Sequence, residues 1–509
     1  MTSRTFTCVI AMTLFAVVPI STRLSAQEQQ QQKPGRPQTY KLVDIGTFGG
    51  PSSAVPIVEQ VVNGRGTLVG QADTPTPDPF APNCFNDDCY VSHAFQWQSG
   101  VQTDLGTLPG GYSSTANWIN AGSLVIGEAE NGQIDPLTGG PELRAVVWTN
   151  GKITDLGTLG GNQSSSIGVN NRGQVIGVAL NAIPDPFSFF GATQARAFLW
   201  EGGPMRDLGT LGGPDAFGQY VNSRGQVVGF SYTSYTPNAS TGVPTVDPFL
   251  WQNGTMLDLG TLGGTFGQVN DINDPGQVVG TSNLAGDVYT HGFIWSAGTL
   301  IDVGTFGGDN GEADWINNAG QVAGSADFAG DQIHHGFLWK DGALTDLGTV
   351  DSDPCSRAYG INAKGQVVGG SSDCSTFLHA FLWEDGGPAV DLNNLISSNS
   401  SLQLVLGFFI SDDGEIAGLG VPSGCSPQDV YTCGRAFLLI PCQGDVGCRN
   451  NAEGELATVQ SSPRPVSTHS STPTRTDRAR SGNEILDRLR AHSFRGLRTP
   501  GSGFWSAIN

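Results

Sequence analysis

The residues in this sequence that could carry chemistry do not gather in one place; they recur. An Asp-x-Gly-Thr signature begins at Asp44, Asp104, Asp155, Asp207, Asp258, Asp302 and Asp346, with a degenerate Asp391-Leu392-Asn393. Five of the seven histidines, His93, His291, His334, His335 and His379, stand just ahead of an apolar run that ends in Trp. A ring of repeated carboxylates could bind cations. The competing reading is that each aspartate accepts backbone N–H groups at a strand end, with the Thr doing the same. A residue shared by every repeat reads as a determinant of the fold, so the structural role is expected for these aspartates. The same role is expected for Trp97, Trp148, Trp200, Trp251, Trp295, Trp339 and Trp383, with Leu439 in the eighth copy. His334-His335 beside Asp331 is the best local metal candidate, but adjacent residues on a strand face opposite ways and cannot easily share an ion. No metal site and no cofactor is expected.

Catalytic signatures are missing. There is no His-Glu-x-x-His, phosphate loop, Gly-x-Ser-x-Gly elbow or Asp-x-Asp-x-Asp-Gly calcium loop. Acidic pairs such as Asp87-Asp88 and Asp412-Asp413 read as turn residues, although carboxylates for acid–base work are usually brought together from distant segments. Eight cysteines remain after Cys8 and fall as close pairs: Cys84/Cys89, Cys355/Cys374, Cys425/Cys433 and Cys442/Cys448. Even, local pairing fits disulfides in an oxidising compartment. Zinc is the alternative, without the two-residue spacing that such sites favour.

The elements that position these residues follow from the spacing. The aspartates are 60, 51, 52, 51, 44, 44 and 45 residues apart, a period typical of propeller blades. Between them lies Ile/Val-Asn, at Asn63, Asn120, Asn170, Asn222, Asn273, Asn317 and Asn362, with Ser411 in the eighth copy, followed by a Gly-Gln-Val-Val-Gly run. In the Asn317 unit, 313–316 and 321–324 are strands a and b around an Asn-Asn-Ala-Gly hairpin. Residues 336–339 are strand c and 343–346 strand d. The chain is therefore expected to be all-β, a β-propeller of eight four-stranded blades. Residues 40–44, a lone strand d, should complete the last unit, which has only a, b and c. Seven blades or an open β-solenoid are the alternatives, and an open end would leave strand edges unpaired. The 72 glycines among 509 residues, twice the usual share of roughly 7%, are a turn schedule multiplied by eight.

The tripeptides His93-Ala94-Phe95 and His379-Ala380-Phe381, with Asp-Leu-Gly-Thr-Leu-Gly-Gly and Ile-Asn-x-x-Gly-Gln-Val-Val-Gly, resemble the extracellular repeats of the HAF family over roughly residues 40–440. Other copies depart from the tripeptide: His-Gly-Phe at His291 and His335, Arg-Ala-Phe at Arg196 and Arg435, and Asp-Pro-Phe at Asp247. The resemblance implies a secreted bacterial repeat protein, and it brings no established activity and no catalytic motif.

Residues 1–26 read as a secretory signal, 27–39 as a Gln/Pro-rich linker, 40–450 as the propeller and 451–509 as a disordered Ser/Thr/Pro/Arg-rich tail. No later segment is long and apolar enough to span a bilayer. The body from 27 to 450 carries 15 basic and 41 acidic residues, which argues against nucleic acid as a partner. The b–c loops deviate most from the repeat. From the last Gly of strand b to Trp they span 27, 21, 23 and 22 residues in blades 1 to 4, against 15, 15 and 14 in the next three. Binding residues concentrate on such loops, so the rim of blades 1 to 4 is the expected contact surface. The expected function is a secreted extracellular or periplasmic binding module, monomeric, with a glycan or protein ligand. The alternative is an extracellular hydrolase acting on polysaccharide or another polymer at the channel mouth.

Overall fold

The computed structural model describes residues 38–442 and 458–460, apart from 58–59, 82–83, 87, 191–192, 240 and 385. The chain from 40 to 441 forms eight four-stranded antiparallel units. In blade 6, strands a to d are Gly307–Ile316, Val322–Phe328, His334–Lys340 and Ala343–Asp346, paired in that order. Blade 8 takes its first three strands from Leu402–Ile410, Ile416–Pro422 and Arg435–Pro441. Its fourth is Tyr40–Asp44, with Tyr40 opposite Pro441 and Asp44 opposite Phe437. The chain is thus an eight-bladed β-propeller closed by its earliest strand, not seven blades and not an open solenoid. The seam is also packed. Ile45 donates to the Ala436 carbonyl at 3.1 Å, and Val405, Leu406 and Phe408 share a core with Val55, Leu68, Phe95 and Trp97 of blade 1.

The repeat's smallest and largest residues explain each other. A Cβ on Gly229 of strand b would lie 1.8 Å from the Phe217 carbonyl oxygen and 3.0 Å from the Phe249 ring. Only glycine lets strand a come this close while a fully buried strand c phenylalanine covers it. The strand c tryptophans flank this layer. Trp97, Trp148, Trp251 and Trp383 are buried, Trp200, Trp295 and Trp339 half-buried, and Trp148 Nε1 donates to the Leu105 carbonyl of the preceding blade at 3.0 Å.

The hairpin asparagines do more than shape a turn. Asn222 Oδ1 accepts the Arg224 and Gln226 amides, while its Nδ2 donates to the carbonyl of Asn273 in the next blade at 3.1 Å. The same donation runs from Asn63 to Asn120, Asn120 to Asn170, Asn170 to Asn222, Asn273 to Asn317, Asn317 to Asn362, and Asn362 to Ser411. Asn222→Ala is expected to cost about 2–4 kcal/mol, because buried main-chain groups on two blades lose partners together. Urea titration checks this, and a loss below about 1 kcal/mol would make the bond cosmetic.

Thr458–Gln460, beyond the last residue where the sequence shows a strand pattern, pairs in parallel with Val101–Thr103 on the outer edge of blade 1. Pairing through main-chain groups at an edge needs no side-chain periodicity, so the pattern could not show it. The other positions read as signal, linker and tail lie largely outside the described residues.

Candidate functional site

The repeated aspartates all act locally. Asp104, Asp155, Asp207, Asp258, Asp302 and Asp346 each accept, through Oδ1, the amide of the glycine two residues on, at 2.7–2.8 Å. Asp44 and Asp391 do the same toward Gly46 and Asn393. Most also meet a His or Arg side chain of strand c. His93 meets Asp104 at 2.9 Å, Arg196 meets Asp207 at 3.0 Å, His291 meets Asp302 at 2.9 Å, His335 meets Asp346 at 2.8 Å and Arg435 meets Asp44 at 3.1 Å. A constant spacing of 11, as in 93/104, 196/207 and 291/302, could have shown these couples in advance. Blade 4 breaks the rule: Asp247 faces Asp258, and burial together with the Asp258 charge lifts the Asp247 carboxyl to about 7. His379 turns to Asp353 instead of Asp391, and Arg144 turns to Glu142. His334 stays apart from the His335–Asp346 couple, and burial pushes its pKa down. Among the described residues, no three His, Cys, Asp or Glu side chains converge as metal ligands.

Strand a is the innermost of each blade, and from blade 2 to blade 8 neighbouring first strands touch. Seven of them bulge three residues before the hairpin residue, at Asn117, Ile167, Gln219, Asn270, Asp314, Tyr359 and Phe408. The extra residue re-aims the side chains that follow. Trp118, Tyr220 and Trp315, from blades 2, 4 and 6, meet across the axis, with ring centroids 5.9 and 6.4 Å apart. On the side of this plug nearer the b–c loops, Arg357 pairs with Glu312, lies 3.7 Å from Asp314 and sits over the Tyr359 ring.

Burial lifts the Asp271 and Asp314 carboxyls to about 7, a value suited to proton transfer. Their bonding argues for structure instead. Both Asp271 oxygens are taken, by the Ile272 and Ile316 amides. Asp314 accepts from Asn270, and Glu312 is held by Arg357.

The b–c loops have the opposite character. They lie at the ring end where strand b finishes and strand c begins, together with the d–a connections. The exposed large apolar side chains among the described residues concentrate there. Val288 is 72% exposed, Tyr235 60% and Ile183 55%, with Tyr289 next to Val288, Ile134, Leu137, Ile333 and Tyr431 on other b–c connections and Tyr112 on a d–a connection. Only Leu257 and Ile301 of this group lie elsewhere, on outer strands. The structure therefore spreads the expected blade 1–4 rim over blades 5, 6 and 8 as well. In blade 1, Phe80 packs edge-on against Tyr112, with ring centroids 6.0 Å apart.

These loops are held firmly. Three disulfides, Cys84–Cys89, Cys355–Cys374 and Cys425–Cys433, fasten this end. Cys442 is also disulfide-bonded, and its expected partner Cys448 lies outside the described residues. Asp215 takes the Phe189 and Ala195 amides across the blade 3 loop. Burial works against an Asp135 carboxylate, but the Leu137 amide, Asn162 and Gln163 outweigh it and hold its pKa down.

No family model matches the chain, and no curated protein matches it. Among solved structures, it is similar to the β-propeller domain of the Trilobed protease from Pyrococcus furiosus, at 8% identity and a TM-score of 0.38, over 70% of this chain and 95% of that one. It is similar to acylaminoacyl peptidase from Pyrococcus horikoshii, at 10% identity and a TM-score of 0.37, over 76% of this chain but only 58% of the peptidase. A third likeness is TolB from Acinetobacter baumannii, at 11% identity and a TM-score of 0.29, over 52% of this chain and 63% of that one.

Proposed function

We propose that the protein is a secreted, monomeric binding module that meets an extracellular glycan or protein with its b–c loop face. The observation that carries this reading is the segregation of exposed apolar side chains onto one end of the ring, on loops anchored by disulfides and buried aspartates. Exposed apolar patches mark contact surfaces, and loops already held in place lose little freedom on binding. Secretion is supported by the disulfides, by the signal-like opening and by the resemblance to HAF repeats; among the described residues no helix is long and apolar enough to cross a membrane. Hydrolysis in the channel has less support, because the carboxylates there are engaged by backbone amides, Asn270 and Arg357.

The test is a glycan array with a panel of purified extracellular polymers, comparing the wild type with Tyr235→Ser/Val288→Ser. Leu257→Ser/Ile301→Ser serves as the control, since it removes exposed apolar groups away from the face. The face variant is expected to lose at least about tenfold in affinity, the size of loss typical of truncated anchor residues, and the control to lose none. Equal losses in both would remove the face from consideration. Turnover of any panel member, abolished by Asp314→Asn, would replace the binding reading with the hydrolytic one.

A further inference from the structure

We propose that residues 461–509 of this same chain lie across the b–c loop face and cover its exposed apolar groups until an outside ligand displaces them. The proposal deepens, and rests on, the reading of that face as the contact surface. Direction comes first. Strand d of each blade ends at the d–a connection, on the b–c loop face, and Thr458–Gln460 runs parallel to strand d of blade 1, with Thr458 beside Val101 and Gln460 beside Thr103. The chain therefore leaves Gln460 heading toward that face. Reach is ample. Residues 461–509 could extend roughly 160 Å, whereas a domain of this size has a radius of gyration of only about 22 Å.

Charge and apolarity match as well. Residues 461–509 carry eight arginines against Asp477, Glu484 and Asp487, and include Ile485, Leu486, Leu489 and Phe494. The face offers exposed Asp331, Asp351 and Asp373, together with Val288, Tyr289 and Ile333. Arginines on these carboxylates and apolar side chains on the loop tips would satisfy both kinds of surface. The other occupants fit less well. A second copy would set this acidic face against itself, and an anionic lipid surface would repel it.

The test is amide hydrogen exchange on the full chain. It compares the wild type with a full-length variant carrying Arg475→Ser, Arg478→Ser, Arg480→Ser, Arg488→Ser and Arg490→Ser, which leaves the described propeller untouched. At low salt the amides of 285–289 and 329–333 are expected to exchange at least about tenfold more slowly in the wild type, and 1 M salt should erase the difference by screening. Equal exchange in the two proteins overturns the proposal. Protection that disappears on dilution also overturns it, since that assigns the face to a second copy. The two readings fail separately. Equal exchange with ligand capture still lost in Tyr235→Ser/Val288→Ser sinks only self-occupancy, while arginine-dependent protection with ligand capture unchanged in that variant sinks only the contact role.

Discussion

A chain that begins at Ile45, lacking Tyr40–Asp44, is expected to melt on the order of 10 °C below the intact protein. Tyr40, Leu42 and Val43 are buried, and the strand pairs with Arg435–Pro441 over its whole length. Burying side chains of this size contributes about 1.5–3 kcal/mol each. The lost ladder bonds and the exposed edge of blade 8 add to that. Asp44, 1% exposed, also leaves Arg435 without its carboxylate. In a chain this long each kcal/mol moves the midpoint by roughly 1–2 °C, less than in a small domain. Differential scanning calorimetry reads the shift. Should the shortened chain fail to accumulate, Val43→Asp in the full chain puts a charge into the same seam and should lower the midpoint by about half as much. An unchanged midpoint in either variant would mean that closure contributes nothing to stability.

The second large effect is a stability that falls as the solution becomes alkaline. Burial lifts Asp88 to about 8 and Glu130, Asp247, Asp271 and Asp314 to about 7, and raises Asp215 well above the ordinary carboxylate range. Asp88 is lifted further by Asp73 beside it, and Asp247 by Asp258. The folded chain therefore keeps protons that the unfolded chain releases above about pH 4. Each such group contributes stability that is fully present below its unfolded pKa and is lost as pH rises through its folded value, here between roughly pH 4 and 8. Asp135 and Asp373 are shifted the other way, and their contribution disappears only as pH drops below the ordinary carboxylate range. The melting temperature at pH 5.5 should exceed that at pH 8.5 by on the order of 5–10 °C. Asp314→Asn, which keeps a neutral side chain at every pH, should flatten the slope and be the more stable protein at pH 8.5. A midpoint that rises from pH 5.5 to 8.5 would contradict the assignment.

Local features were legible in the residues. The Asn-Asn-Ala-Gly turn at 317–320, the glycine after each Asp-x and the apolar run before each Trp act within a few positions, so strand order, blade number and closure by residues 40–44 could be worked out on paper. Features that join distant positions could not. A hairpin asparagine announces its own turn, but its Nδ2 bond to the next blade spans 44 to 57 residues, as from Asn273 to Asn317 and from Asn63 to Asn120. Trp118, Tyr220 and Trp315 look unrelated until the ring closes and carries them to one axis. The exposed crown was half visible. Loop length drew attention to blades 1 to 4, yet the most exposed member, Val288, lies on a short loop of blade 5. Length measures tolerated insertion, whereas exposure depends on what the loop tip packs against.

The way the last blade is sewn has a mechanical consequence. Tyr40 lies opposite Pro441, and Cys442 donates to the Thr39 carbonyl, so the chain enters and leaves the ring at neighbouring points. A pull on those two points acts across the ladder and not along it, loading the hydrogen bonds one after another like the teeth of a zip. Strands sheared lengthwise must break many bonds at once; these need break only one at a time. Under tension the ring would open at this seam and at low force, peeling residues 40–44 away while the seven other blades keep their strands paired.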